Sequence, residues 1–123
     1  MNTFPGQKIP RKAGAALTAS RIVKPGTGDF VVVTAAAATD PSLGVLEAFP
    51  YAAGEPCTVC ISGIVEVVYG GTVAAGDPLT SDASGRAIKA TVAGQRCVGI
   101  AQRAGTIDQI GLVQVSPFIF ATA

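Results

Sequence analysis

"GDPLTSDASGRAIKATVAGQRCVGIAQRAG", residues 76–105, sets two turn signals beside two short apolar runs and contains no histidine. Gly76-Asp77-Pro78 predicts a bend into a short strand at Leu79-Thr80, because proline fixes its own φ and aspartate bonds to nearby amides. Asp82-Ala83-Ser84-Gly85 predicts a turn with a glycine free to take a positive φ, and Arg86–Lys89 runs back to complete a hairpin. A further turn at Ala93-Gly94-Gln95 feeds "RCVGIAQ" (96–102). There the two-residue period of a strand puts Cys97, Gly99 and Ala101 on one face and Val98 and Ile100 on the other. The small residues on the first face leave room for another sheet or another subunit.

Outward from this stretch the same grammar repeats. Short β-type runs are expected at Arg21–Lys24, Phe30–Thr34, Leu43–Glu47, Cys57–Ile61, Ile64–Tyr69, Pro78–Thr80, Ala87–Ala90, Arg96–Gln102 and Gln109–Ser116, with a final run at Phe118–Phe120. Each is bounded by Gly, Pro, Asp or Ser, which predicts an all-β fold, a small sandwich or barrel of short strands. "TAAAATDPS" (34–42) is rich in alanine, but five residues do not overcome the nucleation cost of a helix, so one turn or a loop is expected. A faint internal duplication runs through the pattern. Gly-Asp pairs start at Gly28 and Gly76, and apolar-Gly-apolar steps centre on Gly44 and Gly99, offsets of 48 and 55. Two related β-meanders closing one barrel would produce it.

With 123 residues the chain has the length of one ordinary domain. Residues 1–16 hold two prolines and two glycines and show little periodicity, which predicts an extended, mobile N-terminal arm ahead of a single β-rich body over 17–123. Residues 1–24 carry five bases (Lys8, Arg11, Lys12, Arg21, Lys24) and no acid; the remainder carries four bases and eight acids. The balances of +5 and −4 reproduce the net charge of +1 and describe a basic arm on a mildly acidic body. Only 14% of residues are charged, so part of the surface is expected to be covered by another protein. The longest apolar run, "FVVVTAAAATD", is too short for a membrane helix, and "MNTFPGQKIPRKAG" lacks the apolar region of a secretory signal.

The residue types exclude much chemistry. Without histidine there is no imidazole base and no imidazole metal ligand. Three cysteines, an odd number, argue against a disulfide framework and for a reducing compartment. "CTVC" (57–60) has redox or zinc spacing, but it lies in an expected strand rather than at a helix start, and only Cys97 remains as a further thiolate. Its cysteines read as small buried hydrophobes. Asp77 and Asp82 read as turn residues and Glu66 as a solvent-facing strand residue, so no catalytic dyad is expected. "PGTGD" (25–29) has no helical pattern after it and offers no phosphate cradle. No catalytic residue, cofactor or metal is expected. The candidate binding residues are Phe4, Lys8, Arg11 and Lys12 of the arm, suited to an acidic protein surface rather than to nucleic acid.

The order "GGTVAAGDPLTSDASGRAIKATVAGQRCVGIAQRAG…IGLVQV" resembles tailed-phage capsid decoration proteins, also called cement proteins. The likeness covers residues 64–115 and, more loosely, the chain after the arm. It implies a non-enzymatic virion protein, made in the host cytoplasm and placed on the outer capsid surface. Such a protein clamps neighbouring major capsid subunits and assembles as a homo-oligomer, a trimer being favoured. Neither a membrane nor direct nucleic-acid contact is implied. "VEVVYGGTVAAGDPLTSD" (65–82) also resembles the flattened barrels of lipoyl and biotinyl carrier domains, an alternative reading as a carrier or small binding module. Those domains present a modifiable lysine at a hairpin tip, and none of Lys8, Lys12, Lys24 and Lys89 falls in such a turn.

Overall fold

The computed structural model describes residues 4–47 and 49–121. Among them there is no helix, and the strands are β1 (Phe4–Pro5), β2 (Lys8–Ala13), β3 (Ile22–Pro25), β4 (Val31–Thr34), β5 (Gly44–Leu46), β6 (Pro56–Cys60), β7 (Gly63–Val68), β8 (Pro78–Ser81), β9 (Ala87–Lys89), β10 (Arg96–Ala101) and β11 (Ile110–Ile119). The fold is all-β, as the turn spacing predicts. Strands β2-β4-β3-β5-β6 close a barrel, and β1-β7-β11-β10-β8-β9 form a second sheet. The β8–β9 hairpin forms with Leu79 opposite Lys89 and Ser81 opposite Ala87, and Gly85 in its turn has φ +76°. The Asp82 carboxylate organises that turn, accepting bonds from the Ser84 and Arg86 amides at 2.8 and 2.9 Å. The alanine run after β4 forms a loop whose Asp40 carboxylate accepts from the Ala36 amide.

The two halves of the chain are the same fold twice. The neighbour order β2-β6-β5-β3-β4 of the first half becomes β7-β11-β10-β8-β9 in the second, position for position. Registers agree as well: Ile9 opposite Val59 corresponds to Val65 opposite Val113, and Val45 opposite Cys60 to Ile100 opposite Gln114. The antiparallel bridge Leu17–Tyr51 recurs as Val73–Gly105. Gly44 and Gly99 are equivalent, and a Cβ on either would run into the carbonyl of its neighbour, Cys60 or Gln114. The Gly-Asp pairs are not equivalent: Gly76 matches Ser20, and both have positive φ. Each half thus builds its own barrel-like unit, rather than the two together closing one.

The seven buried residues that fill the first barrel are Ala13, Leu17, Val23, Val32, Leu46, Cys57 and Val59. Their counterparts are Tyr69, Val73, Leu79, Ala87, Ala101, Gly111 and Val113, all buried. Volume is conserved by exchange. Alanine at position 13 becomes Tyr69, and valine, leucine and cysteine become Ala87, Ala101 and Gly111. A Cβ on Gly111 would fall within the Tyr69 ring. The second unit is also left ajar. Its end strands β7 and β9 meet only through the parallel bridge Tyr69–Ala87, because residues 20–22 enter the gap. The Val68 amide bonds to the Ser20 carbonyl at 3.0 Å and the Ile22 amide to the Gly85 carbonyl at 2.8 Å. Ile22, Val45 and Cys60, each beside an inward residue of the first barrel, point outward into the core of the second.

Two expectations are corrected. Residues 8–13, assigned to a mobile arm, form β2, paired with β6 from Lys8–Cys60 to Lys12–Pro56 and in parallel with β4 at Lys12 and Ala13. The boundary drawn between 1–16 and 17–123 therefore cuts through the barrel. Its inward set is Ile9, Arg11 and Ala13, and an arginine in that set hides the apolar alternation. In β10 the expected alternation breaks at a bulge between Cys97 and Gly99, so that Val98 and Ala101, three apart, enter the same core.

Candidate interaction surface

The expected binding residues separate once placed in the fold. Phe4 lies in β1, opposite Ile64, and its side chain is outside the described residues. Lys8 bonds to the Glu47 carboxylate at 2.7 Å. That hydrogen bond, with the charge of Glu47, raises the Lys8 ammonium above its ordinary value. Arg11 and Lys12 are consecutive in β2, so their side chains leave opposite faces of the strand. The Arg11 guanidinium lies over the Phe30 ring, 5.3 Å from its centroid, and donates to the Pro10 carbonyl. Lys12 is exposed, and its amide donates to the Phe30 carbonyl at 2.8 Å. Among the described residues no acid stands within ion-pair distance of either cation, whereas Lys24 is held by Asp40 at 2.9 Å and Arg86 by Asp82 and Asp108.

Phe30 is the member of this group that sequence reasoning missed. It reads as the first residue of an apolar strand, yet it sits in the turn before β4, 71% exposed, at φ +60°. Nothing in the local sequence marks it, because its exposure follows from the turn geometry rather than from its neighbours.

A second exposed apolar region lies at the end of β11. The strand runs past Val115 to pair Phe118 with Cys97 and Ile119 with Arg96, so the final run does complete the sheet, while Phe118, Ile119 and Val92 stay exposed. Pro117, Phe118, Ile119, Ser42, Arg96 and Cys97 line a cleft of about 180 Å³. The buried Ser42 hydroxyl oxygen has no hydrogen-bond partner.

The candidates for chemistry take structural roles. Cys57 and Cys60 point into the cores of the two halves, and Cys97 is buried in β10. Burial pushes all three thiols up, which keeps them protonated and poorly nucleophilic. Asp77 accepts from the Ala74 amide in its bend. Among the described residues no three His, Cys, Asp or Glu side chains cluster as a metal site. Lys89 lies in β9, Lys24 in β3, and Lys8 and Lys12 in β2, so none occupies the hairpin tip that a carrier domain needs.

The search of curated proteins gives no match. Among solved structures, the chain is similar to one described as the head fiber gp8.5 N base in bacteriophage phi29, with 19% identity and a TM-score of 0.69, over 89% of this chain and 93% of that one. A protein-family model described as phage cement protein matches residues 5–115. That span contains both halves of the duplicated fold, from β2 through the part of β11 that pairs with β7. The chain therefore belongs to the phage cement protein family, structural proteins associated with the phage capsid.

Proposed function

We propose that the protein docks on the outer surface of an icosahedral phage capsid and cements neighbouring major capsid subunits, and that it does so as a homo-oligomer, a trimer being favoured. It is made in the host cytoplasm and carried on the virion. The observation that carries this reading beyond the family is the pair Arg11 and Lys12. Among the described residues neither cation has an acidic ion-pair partner, and both are held on a barrel strand rather than on a loose tail. Rigid presentation lowers the entropic cost of binding, and repetition over a lattice turns modest contacts into avidity. The exposed apolar end of β11, with Phe118 and Ile119, is the surface offered to neighbouring copies.

Co-sedimentation of the full chain with mature shells tests the reading. Saturable binding at a fixed ratio to the lattice is expected, weakening as salt rises because exposed charges are screened. Arg11→Glu with Lys12→Glu should lower the affinity by about tenfold or more, through reversed charge at a steered interface. Native mass spectrometry reads the oligomeric state. Absence of binding to mature and immature shells alike would overturn the proposal.

A further inference from the structure

Three positions in the described chain hold a residue other than glycine at positive φ: Ser20, Phe30 and Asp108. The duplication supplies the control for each. Ser20 corresponds to Gly76 and Asp108 to Gly54, both glycines at positive φ. Phe30 corresponds to Gly85: each immediately precedes the residue, Val31 or Arg86, whose carbonyl accepts the turn-closing amide of Gly26 or Asp82. At this point the backbone demands a left-handed residue, and the second half meets the demand with glycine. Aspartate tolerates such φ values through its short polar side chain and serine is small, whereas a bulky aromatic at positive φ is an outlier. Phe30 gains little from the fold in return, since most of its surface is exposed and its described side-chain partner is the Arg11 guanidinium.

We infer that Phe30 is the anchor of the docking surface, displayed by a strained turn for insertion into a partner protein. This rests on the capsid-binding reading and names its central residue. The partner site it fits is an apolar pocket with carboxylates on its rim. Phe30 supplies the apolar plug, and the Arg11 guanidinium over its ring supplies positive charge, against which Asp29 contributes one carboxylate without an ion pair among the described residues. Strain retained at an exposed position is a mark of binding sites. An aromatic held by a stacked guanidinium has little rotamer entropy left to lose on burial, as expected of an interface hot spot.

The test exploits the second half's own solution. Phe30→Gly and Phe30→Asn both suit a positive φ, so their melting temperatures should stay within about 3 °C of the parent protein or rise. In co-sedimentation with mature shells both should bind about thirtyfold more weakly, the scale of a hot-spot loss, while Phe30→Tyr keeps binding close to the parent level. Binding of the glycine and asparagine variants at the parent level would overturn the inference while leaving the capsid reading intact. A fall in melting temperature well beyond that margin for both would also overturn it, because Phe30 would then serve the fold. Failure of the unaltered protein to bind any shell would remove both.

Discussion

Tyr69 shows how one residue can hold half of a molecule. It fills the volume vacated by Ala87, Ala101 and Gly111, and its hydroxyl reaches the carbonyls of Arg103 and Leu112. Burial pushes its phenol up, so it remains neutral and keeps its donor. Tyr69→Ala should cost about 3–5 kcal/mol, the range for emptying an aromatic site, which approaches the whole stability of a domain. Tyr69→Phe should cost only about 1 kcal/mol, the worth of a hydrogen bond. Urea unfolding of the two variants measures both, and equal losses would show that the hydroxyl rather than the ring is what matters. Ala13 fills the equivalent position with a methyl group, because Val32, Leu46 and Cys57 already occupy the space.

Between elements, polar side chains fix loops that the apolar pattern leaves undefined. The loop from β4 to β5 is tied to β3 by the Asp40 carboxylate, which takes the Lys24 ammonium and the Ala36 amide. Lys24 leads in holding the Asp40 carboxyl below its ordinary range. A carboxyl depressed in the folded state stabilises fully above its unfolded value, near pH 4, and the effect is lost as pH falls through the depressed value. Asp40→Asn should therefore cost about 1 kcal/mol at pH 7, and the difference from the parent should shrink in acid. Urea midpoints at the two pH values report it. The same logic recurs in the equivalent turns at 52–55 and 106–109, where Glu55 and Gln109 each accept the amide three residues back. Charge is not needed there, since an amide oxygen serves as well as a carboxylate.

At the scale of the molecule the two halves are coupled. Residues 20–22 of the first plug the gap in the second, and Ile22, Val45 and Cys60 join its core. Deleting residues 1–14 should thus open the barrel and unfold the chain rather than release a dispensable arm. The three buried cysteines should then react with an alkylating agent as fast as in urea, while in the intact protein they stay protected; protection in the truncated chain would refute this. The sequence alone specifies the all-β class, the nine strands β3–β11, although it divides β11 into two runs, the β8–β9 hairpin and the structural roles of Asp77, Asp82 and the cysteines. Turn chemistry and strand period are local, and they act through residues adjacent in the chain. It also placed Gly44 and Gly99 in register. The place of β2 in the barrel, the bulge in β10 and the display of Phe30 follow instead from long-range contacts. Each depends on partners far along the chain: β6 and β4 for β2, Val115 and Leu79 for the bulge, and the left-handed turn closed against β2 for Phe30. Pairing energy between distant strands overrides local composition, and a pattern read along one strand carries no record of it.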